Sequence, residues 1–212
     1  MAFALLVAAC GGDDETDAAV GTVPPASVTP TTVAATTTTI AATSTTTTTA
    51  PDFSGAAAFD GSSSVSTVGI DALTFGMTLN QARSALSAEF SPVSEPVDAV
   101  CDTYFPTGGP AGVILTVTQG TVERVDITND SITTRSGAGV GVSEQGLADL
   151  FGDRLTTTAR PGGGNTITFT PADASDAEFR VIFETDGSVV TSFRSGRLPQ
   201  VTLLEPCGSA TG

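Results

Sequence analysis

The sequence predicts an α+β domain in which one unit, a short helix followed by antiparallel strands, occurs twice behind a disordered stalk. Hydroxyl residues that can cap a helix precede two short amphipathic segments, and β-rich runs separated by turn residues follow each segment. The threonine-rich composition ahead of them predicts the stalk. The folded part is expected over residues 67–207, in halves of about 67–130 and 131–207, with a tail at 208–212.

Residues 5–10 are Leu-Leu-Val-Ala-Ala-Cys, which resembles the lipobox of secreted bacterial lipoproteins. The resemblance implies that Cys10 is acylated and that the chain is cut just before it. Residues 1–9 would be a signal segment, which we expect to be incomplete because no basic residue precedes Arg83. A buried cysteine near a ragged terminus is the alternative. We therefore expect a lipid anchor in the cell membrane, facing the extracytoplasmic side, with the bilayer as a partner through Cys10.

Residues 10–66 combine this cysteine with an acidic segment and a threonine-rich tract. The tract at 22–50 has no charged residue, no aromatic residue and no apolar period, so it cannot offset its ordering entropy. The carboxylates at 13–17 are expected to be a solvated spacer, since a mobile tail lacks the rigid geometry of a metal site. A coil of about 50 residues would reach roughly 40 Å, which makes the segment a tether.

The two helices occupy matching places in the two halves. Leu79–Leu86 follows Thr78, and Glu144–Phe151 follows Ser143. Both hydroxyls can accept hydrogen bonds from free amides of the first helical turn. Helices of barely two turns are unstable alone, so both need a sheet to lie on.

β-rich runs follow each helix. Asp186-Gly187 is a strong hairpin signal, because both positions tolerate the positive φ of a type I′ turn, and Gln119-Gly120 is a weaker version. The expected strands are Val100–Phe105, Val113–Thr118, Thr121–Thr128, Arg154–Thr158, Thr166–Thr170, Phe179–Thr185, Ser188–Phe193 and Val201–Leu204.

Cys101 and Cys207 are the even pair that remains once Cys10 is acylated. In an exported protein we expect such a pair to form a disulfide, with two reduced core thiols as the alternative. Cys101 would open a strand in the first half, and Cys207 would close the last strand.

The composition excludes several classes of catalyst and partner. The chain has no histidine, no lysine and no tryptophan. Ser-His-Asp, Cys-His, Schiff-base and Ser-Lys chemistry are therefore excluded, and zinc enzymes normally need an imidazole ligand. A net charge of −15 argues against nucleic acid. We expect no enzyme, no metal and no small-molecule cofactor, with hydrolysis of wall sugars by a carboxylate pair as a minor alternative.

Two aromatic residues and four arginines are the candidate partner-binding residues: Tyr104, Phe105, Arg124, Arg180, Arg194 and Arg197. Arginines near one sheet edge can bind a partner's carboxylates. Pairing inside the chain with Glu184, Glu123 or Asp126 is the alternative. Exposed aromatic residues dominate binding hot spots, and a core position is the alternative for this pair.

Four segments together resemble a known family. They are Gly76–Thr78 before a helix, Ser136–Glu144, Phe151–Leu155 and Phe183–Pro199. They resemble secreted bacterial proteins built as tandem repeats similar to β-lactamase inhibitory protein and, more distantly, small outer-membrane assembly lipoproteins. The resemblance covers about residues 69–207. It implies one curved antiparallel sheet with both short helices on one face and an open, concave face that binds a protein.

We therefore expect a membrane-anchored extracytoplasmic binding module that recognises a protein or cell-envelope component through the open sheet face. The alternative is a structural or assembly lipoprotein of the envelope with no single tight ligand.

Overall fold

A computed structural model describes residues 59–94 and 100–208. The predicted signal segment, Cys10, most of the stalk and the end of the tail lie outside the described residues. The folded part begins before residue 67, because Ser64–Ser66 already form a strand. Phe59 is buried as well, with its ring centroid 6.4 Å from that of Phe90.

The described chain is α+β, as predicted, with twelve strands and two α-helices. The first half contains β1 (Ser64–Ser66), β2 (Gly69–Ile70), β3 (Leu73–Thr74), α1 (Leu79–Leu86), β4 (Glu89–Pro92), β5 (Cys101–Thr107), β6 (Val113–Thr118) and β7 (Thr121–Ile127). The second half contains β8 (Thr133–Thr134), α2 (Glu144–Phe151), β9 (Leu155–Ala159), β10 (Asn165–Phe169), β11 (Phe179–Thr185) and β12 (Val190–Arg197). Short 3₁₀ helices lie at Gly152–Arg154, Ala174–Asp176 and Gln200–Thr202. Neither α-helix has the length and apolar character needed to cross a bilayer.

The main sheet joins the two halves. Its eight antiparallel strands run in the order β4-β5-β6-β7-β12-β11-β10-β9. Each half supplies one helix and four consecutive strands, and the halves meet where β7 pairs with β12, with Val125 opposite Ser195. The prediction of two helix-plus-strand units sharing one antiparallel sheet is thus confirmed.

A smaller sheet of four short strands was not predicted. Its order is β3-β2-β1-β8, and β1 runs parallel to β8. Val65, Ile70 and Leu73 are fully buried. Ser195 Oγ donates a hydrogen bond to the carbonyl of Ser66 at 2.8 Å and so ties this sheet to the main one. Strands of two or three residues are too short to show a periodic pattern in the sequence.

Both helices have the predicted bounds because their caps form as expected. Thr78 Oγ1 accepts from the amide of Gln81 at 3.3 Å, while the Gln81 side chain accepts from the Thr78 amide at 2.8 Å. This reciprocal pair is a capping box. Ser143 Oγ accepts from the amide of Gly146 at 3.0 Å. Short amphipathic helices with such caps lie on the sheet through their buried faces.

The core lies on the side of the main sheet that carries the helices. Leu115 and Phe183 of the sheet and Leu147 of α2 are fully buried there. The ring centroid of Phe151 on α2 lies 4.8 Å from that of Phe169 and 5.9 Å from that of Phe183. Tilted ring pairs at these distances add to the gain from burial.

The opposite side of the main sheet is called the outer face below. Because side chains alternate along each strand, it carries Phe105, Ile114, Asp126, Glu184 and Arg194.

The two predicted hairpins form, but their turns differ. Gln119 and Gly120 both have positive φ, 53° and 85°, as a type I′ turn requires. At the second turn only Gly187 has positive φ. Asp186 instead donates its amide to the carbonyl of Val189 at 3.2 Å, and its Oδ1 accepts from the Val189 amide at 2.9 Å. The type I′ prediction is therefore wrong for Asp186-Gly187, because the aspartate side chain closes a longer turn.

The C-terminal segment differs from the prediction as well. Residues 201–204 form no strand, and Cys207 lies in a turn instead of closing a strand. The predicted disulfide between Cys101 and Cys207 is confirmed, with the two Cα atoms 5.6 Å apart. Residues 198–207, called the strap below, turn back from the end of β12 and lie against the outer face, with the disulfide fixing their far end to β5.

Candidate functional site

Arg124 on β7 lies buried beneath the strap, with 1% of its surface exposed. Its Nη1 donates to the carbonyl oxygens of Gln200 at 3.1 Å and Leu203 at 2.6 Å. Its Nε donates to Asp126 Oδ2 at 2.7 Å. The planar guanidinium has five donors, so one side chain satisfies two strap carbonyls and one carboxylate together.

Arg194 on β12 holds the strap in the same way. Its Nε donates to the carbonyl of Val201 at 2.7 Å, and its Nη1 donates to Glu184 Oε1 at 2.8 Å. The Val201 side chain is fully buried at this point. The strap is therefore held at four places: by two arginines, by an apolar side chain and by the disulfide.

Glu184 on β11 is the most heavily bonded carboxylate of the outer face. Besides Arg194, it accepts from Arg160 Nη1 at 2.9 Å and from Thr166 Oγ1 at 2.7 Å. Burial alone would raise the pKa of this carboxyl, but the bonds from Arg160, Thr166 and Arg194 outweigh burial and hold the pKa below its ordinary value. Glu184 is therefore a fixed negative charge between two arginines.

The other charges beneath the strap respond mainly to burial. Desolvation raises the pKa of Asp126, although the bonds from Arg124 oppose the rise. Desolvation, with the positive charge of Arg124, lowers the pKa of Arg194, and Glu184 opposes that change. Asp126 and Arg194 are therefore already paired within the folded chain, and Arg194 has little freedom to bind a second carboxylate.

A cavity of about 390 Å³ remains between the strap and the outer face. Charged side chains of the sheet line one side, and an apolar and acidic part of the strap lines the other. They are Asp126, Glu184 and Arg194 on the sheet with Arg160 just after β9, and Leu204, Glu205 and Pro206 on the strap.

The other two candidate arginines, Arg197 and Arg180, also form hydrogen bonds within the chain. Arg197 Nη1 donates to Glu123 Oε2 at 3.1 Å, and its guanidinium carbon lies 5.4 Å from the centre of the Phe179 ring. Arg180 Nη1 donates to the carbonyls of Ala177 and Phe179 at 2.8 and 2.6 Å.

Pairing inside the chain, the alternative raised for the arginines, describes three of the four. Arg124 pairs with Asp126, Arg194 with Glu184, and Arg197 with Glu123. Direct contact with a partner needs exposed surface, which Arg124 and Arg194 lack. The structure thus gives these two arginines a different task, that of holding the strap.

The two aromatic candidates lie on opposite sides of β5. Tyr104 is partly buried and packs against the core, whereas Phe105 is 41% exposed on the outer face. The alternation of side chains along a strand separates them. Tyr104 therefore packs with the core, which was the alternative for this pair. The interpretation as an exposed binding residue is kept for Phe105.

Phe105 belongs to a row of apolar side chains on the outer face, called the apolar strip below: Val93, Phe105, Ile114 and Leu204. Ile114 is half-buried, while Val93 is 49% and Leu204 is 68% exposed. The register that pairs Tyr104 with Leu115 brings Phe105 beside Ile114, and Ile114 and Leu204 line the same cavity.

Sequence reasoning missed the contributions of Val93, Arg160 and Leu204. Val93 directly follows the unpredicted strand β4, and Leu204 was assigned to a strand that does not form. The ion pair of Arg160 joins residues 24 positions apart, and no local pattern signals it. Within residues 59–94 and 100–208, no group of three or more Cys, Asp and Glu residues is placed to hold a metal ion.

Comparisons with known proteins do not assign the chain to a family. No family model matches it, and no curated protein matches it. Among solved structures it is similar to the uncharacterized protein yfeY from Escherichia coli, with 15% sequence identity and a TM-score of 0.43. That similarity covers 63% of this chain and 99% of the other. The resemblance to inhibitor-like tandem repeats stays a prediction.

Proposed function

We propose that this chain is a membrane-anchored extracytoplasmic binding module, which recognises a protein or another cell-envelope component through the outer face. Acylated Cys10 would provide the anchor and the threonine-rich tract would provide the reach. The outer face would provide the contact.

The apolar strip is the observation that carries this proposal. Phe105 and Leu204 stay exposed although a long core lies on the other side of the same sheet. Contiguous exposed apolar groups on a soluble domain mark interaction sites, and aromatic anchors supply most of the energy in such sites. The strap adds rigidity, because a surface held by a disulfide and two buried arginines loses little entropy when a partner binds.

The disulfide and the composition support the proposed compartment and the absence of catalysis. Structural disulfides persist in oxidising, extracytoplasmic compartments. The imidazole base and the amine nucleophile are missing, since the chain has no histidine and no lysine.

The test is retention of envelope components on the immobilised, oxidised full chain, comparing Phe105→Asp with Leu150→Asp. Both residues are exposed to a similar degree, 41% and 45%, but Leu150 lies on α2 and therefore away from the outer face. A component retained by the unmodified chain should be lost with Phe105→Asp and kept with Leu150→Asp. Each variant is first checked by circular dichroism for an unchanged fold.

Equal retention by the two variants would contradict the proposal, since the outer face would then not be the contact. A complete lack of retained components would favour the assembly role with no single tight ligand.

A further inference from the structure

The two edges of the main sheet differ in whether they can accept another strand. An edge strand exposes unpaired N–H and C=O groups, and natural proteins normally block them. At the β4 edge, the Val93 amide donates to the Thr103 carbonyl of β5, so odd-numbered residues of β4 bond towards the sheet. The backbone groups of Phe90 and Pro92 therefore point outward. The Phe90 carbonyl accepts from Arg83 Nη2 at 3.2 Å, and proline has no N–H. The β4 edge therefore offers fewer groups to a further strand than a regular edge does.

The β9 edge is open. The Arg160 amide donates to the carbonyl of Gly164 at 3.0 Å, and the Arg154 carbonyl accepts from Thr170 at 3.1 Å, so even-numbered residues of this strand bond towards β10. The backbone groups of residues 155, 157 and 159 therefore point away from the sheet. No partner among the described residues takes these six outward groups.

None of the usual protective devices is present in β9. Its sequence is Leu-Thr-Thr-Thr-Ala, without proline, charge or bulge, and residues 156–159 are all exposed. Threonine favours extended backbone, so the strand is preformed for pairing. Such an edge can bind an extended segment through main-chain hydrogen bonds.

The charges beside this edge indicate which kind of segment it would accept. Arg154 and Arg160 lie just beyond the two ends of β9 and on the same side of it as Thr156 and Thr158. Arg154 is exposed and takes part in no ion pair with a described residue, whereas Arg160 is half-buried and pairs with Glu184. Two copies of this chain paired about Thr157 would place Arg154 of each copy opposite Arg160 of the other, and like charges directly opposite are destabilising.

We infer that the β9 edge accepts an extended segment of another protein as a ninth strand, and that the segment carries acidic residues six positions apart opposite Arg154 and Arg160. This edge borders the outer face, where Arg160 also pairs with Glu184, but pairing at β9 does not involve the apolar strip and so does not depend on the proposed function. It adds main-chain recognition to a chain whose net charge of −15 would otherwise repel acidic partners.

The probe is the blocked heptapeptide acetyl-Glu-Thr-Val-Thr-Val-Thr-Glu-amide, titrated into the ¹⁵N-labelled, oxidised full chain. Binding should shift the amide signals of Leu155, Thr157 and Ala159 and slow their hydrogen exchange. The amides of Thr156 and Thr158 are already bonded and should change little. Shifts that occur only at β4 or the strap, or no shifts at millimolar peptide, would overturn the inference.

Two variants and a second peptide sharpen the test. Thr157→Pro removes an outward N–H and no sheet bond, so the fold should persist while affinity falls about tenfold or more. Thr157→Val keeps the amide and should bind like the unmodified chain. The same peptide with lysine at both ends should bind more weakly, and Arg154→Glu, which leaves one arginine and one glutamate at the two ends of β9, should remove that preference.

Equal affinity for the two peptides would overturn the assignment of an acidic segment. Loss of binding with Thr157→Val as well would point to the side chain and away from main-chain pairing. If analytical ultracentrifugation showed that the chain dimerises and that Thr157→Pro abolishes the dimer, the occupant would be a second copy, and the inference of a separate partner would be wrong.

Discussion

Replacing both Cys101 and Cys207 by serine should remove the stabilisation that the cross-link provides. The domain should nevertheless stay folded. The two residues are 106 positions apart, so the bond closes a loop that contains α2 and the strands β5 to β12. The loop-closure relation gives about 4.8 kcal/mol for such a loop at 25 °C, as an effect on the unfolded chain. In the folded state the strap keeps its bonds to Arg124 and Arg194 and the buried side chain of Val201.

Urea denaturation followed by far-ultraviolet circular dichroism measures this cost, because the chain has no tryptophan for fluorescence. With an m-value of about 2 kcal/mol per M, the midpoint should fall by about 2 M. Cys10→Ser is the matched control. Its cysteine is outside the cross-link, so its midpoint should equal that of the unmodified chain.

A midpoint that stays within about 0.3 M of the unmodified chain would refute the loop-closure reasoning. Two free thiols in the unmodified, denatured chain would refute the cross-link itself. Loss of folded signal in plain buffer would show that the arginine bonds do not hold the strap without the disulfide.

Three further predictions concern single residues. Arg124→Leu should lower the free energy of unfolding by about 4 kcal/mol, because Asp126 and two strap carbonyls lose their donor in a buried place; urea denaturation measures it. Glu184 has a lowered pKa, so its stabilising contribution is present above the unfolded pKa of about 4.3 and is lost as pH falls through the folded pKa. Glu184→Gln should therefore lose less stability than the unmodified chain when urea midpoints are compared between pH 6 and pH 3. Cys10→Ser should abolish acyl labelling and move the chain from the membrane fraction to the soluble fraction.

A specific result would contradict each of these three predictions. Arg180 also bonds to backbone carbonyls but has no ion pair with a described residue, so Arg180→Leu should cost less than about 1 kcal/mol. An equal loss in Arg124→Leu and Arg180→Leu would contradict the role given to Arg124. Parallel acid profiles for Glu184→Gln and the unmodified chain would contradict the role of Glu184. Unchanged membrane association of Cys10→Ser would contradict the anchor.

The helices could be predicted to the residue because their signals are local. The cap of Thr78 involves the backbone three residues later, and the same holds for Ser143. The seven strands of the main sheet that were predicted also carry their own β-rich runs, bounded by glycine or proline. β4 is short and contains a proline, so no pattern marked it.

The turns show where local prediction ends. Gln119-Gly120, the weaker signal, forms the type I′ turn, while the stronger Asp186-Gly187 does not. A β-bulge between Glu184 and Thr185 shifts the register just before the second turn. The Asp186 side chain then accepts a hydrogen bond from the Val189 amide, and this bond closes a turn longer than the predicted two residues.

The sequence by itself determined the α+β class, the duplicated unit, the helix bounds and the pairing of the two cysteines, because each depends on contacts within a few residues or on composition. The tertiary structure alone decided the course of the strap and the task of the arginines. Val201–Leu204 has the composition of a strand, yet Arg124 and Arg194, more than 70 and 7 positions away along the chain, donate to carbonyls of this segment that a neighbouring strand would otherwise take. Long-range hydrogen bonds between a side chain and the backbone leave no periodic trace in the sequence, so only the folded arrangement could show that these arginines hold the strap.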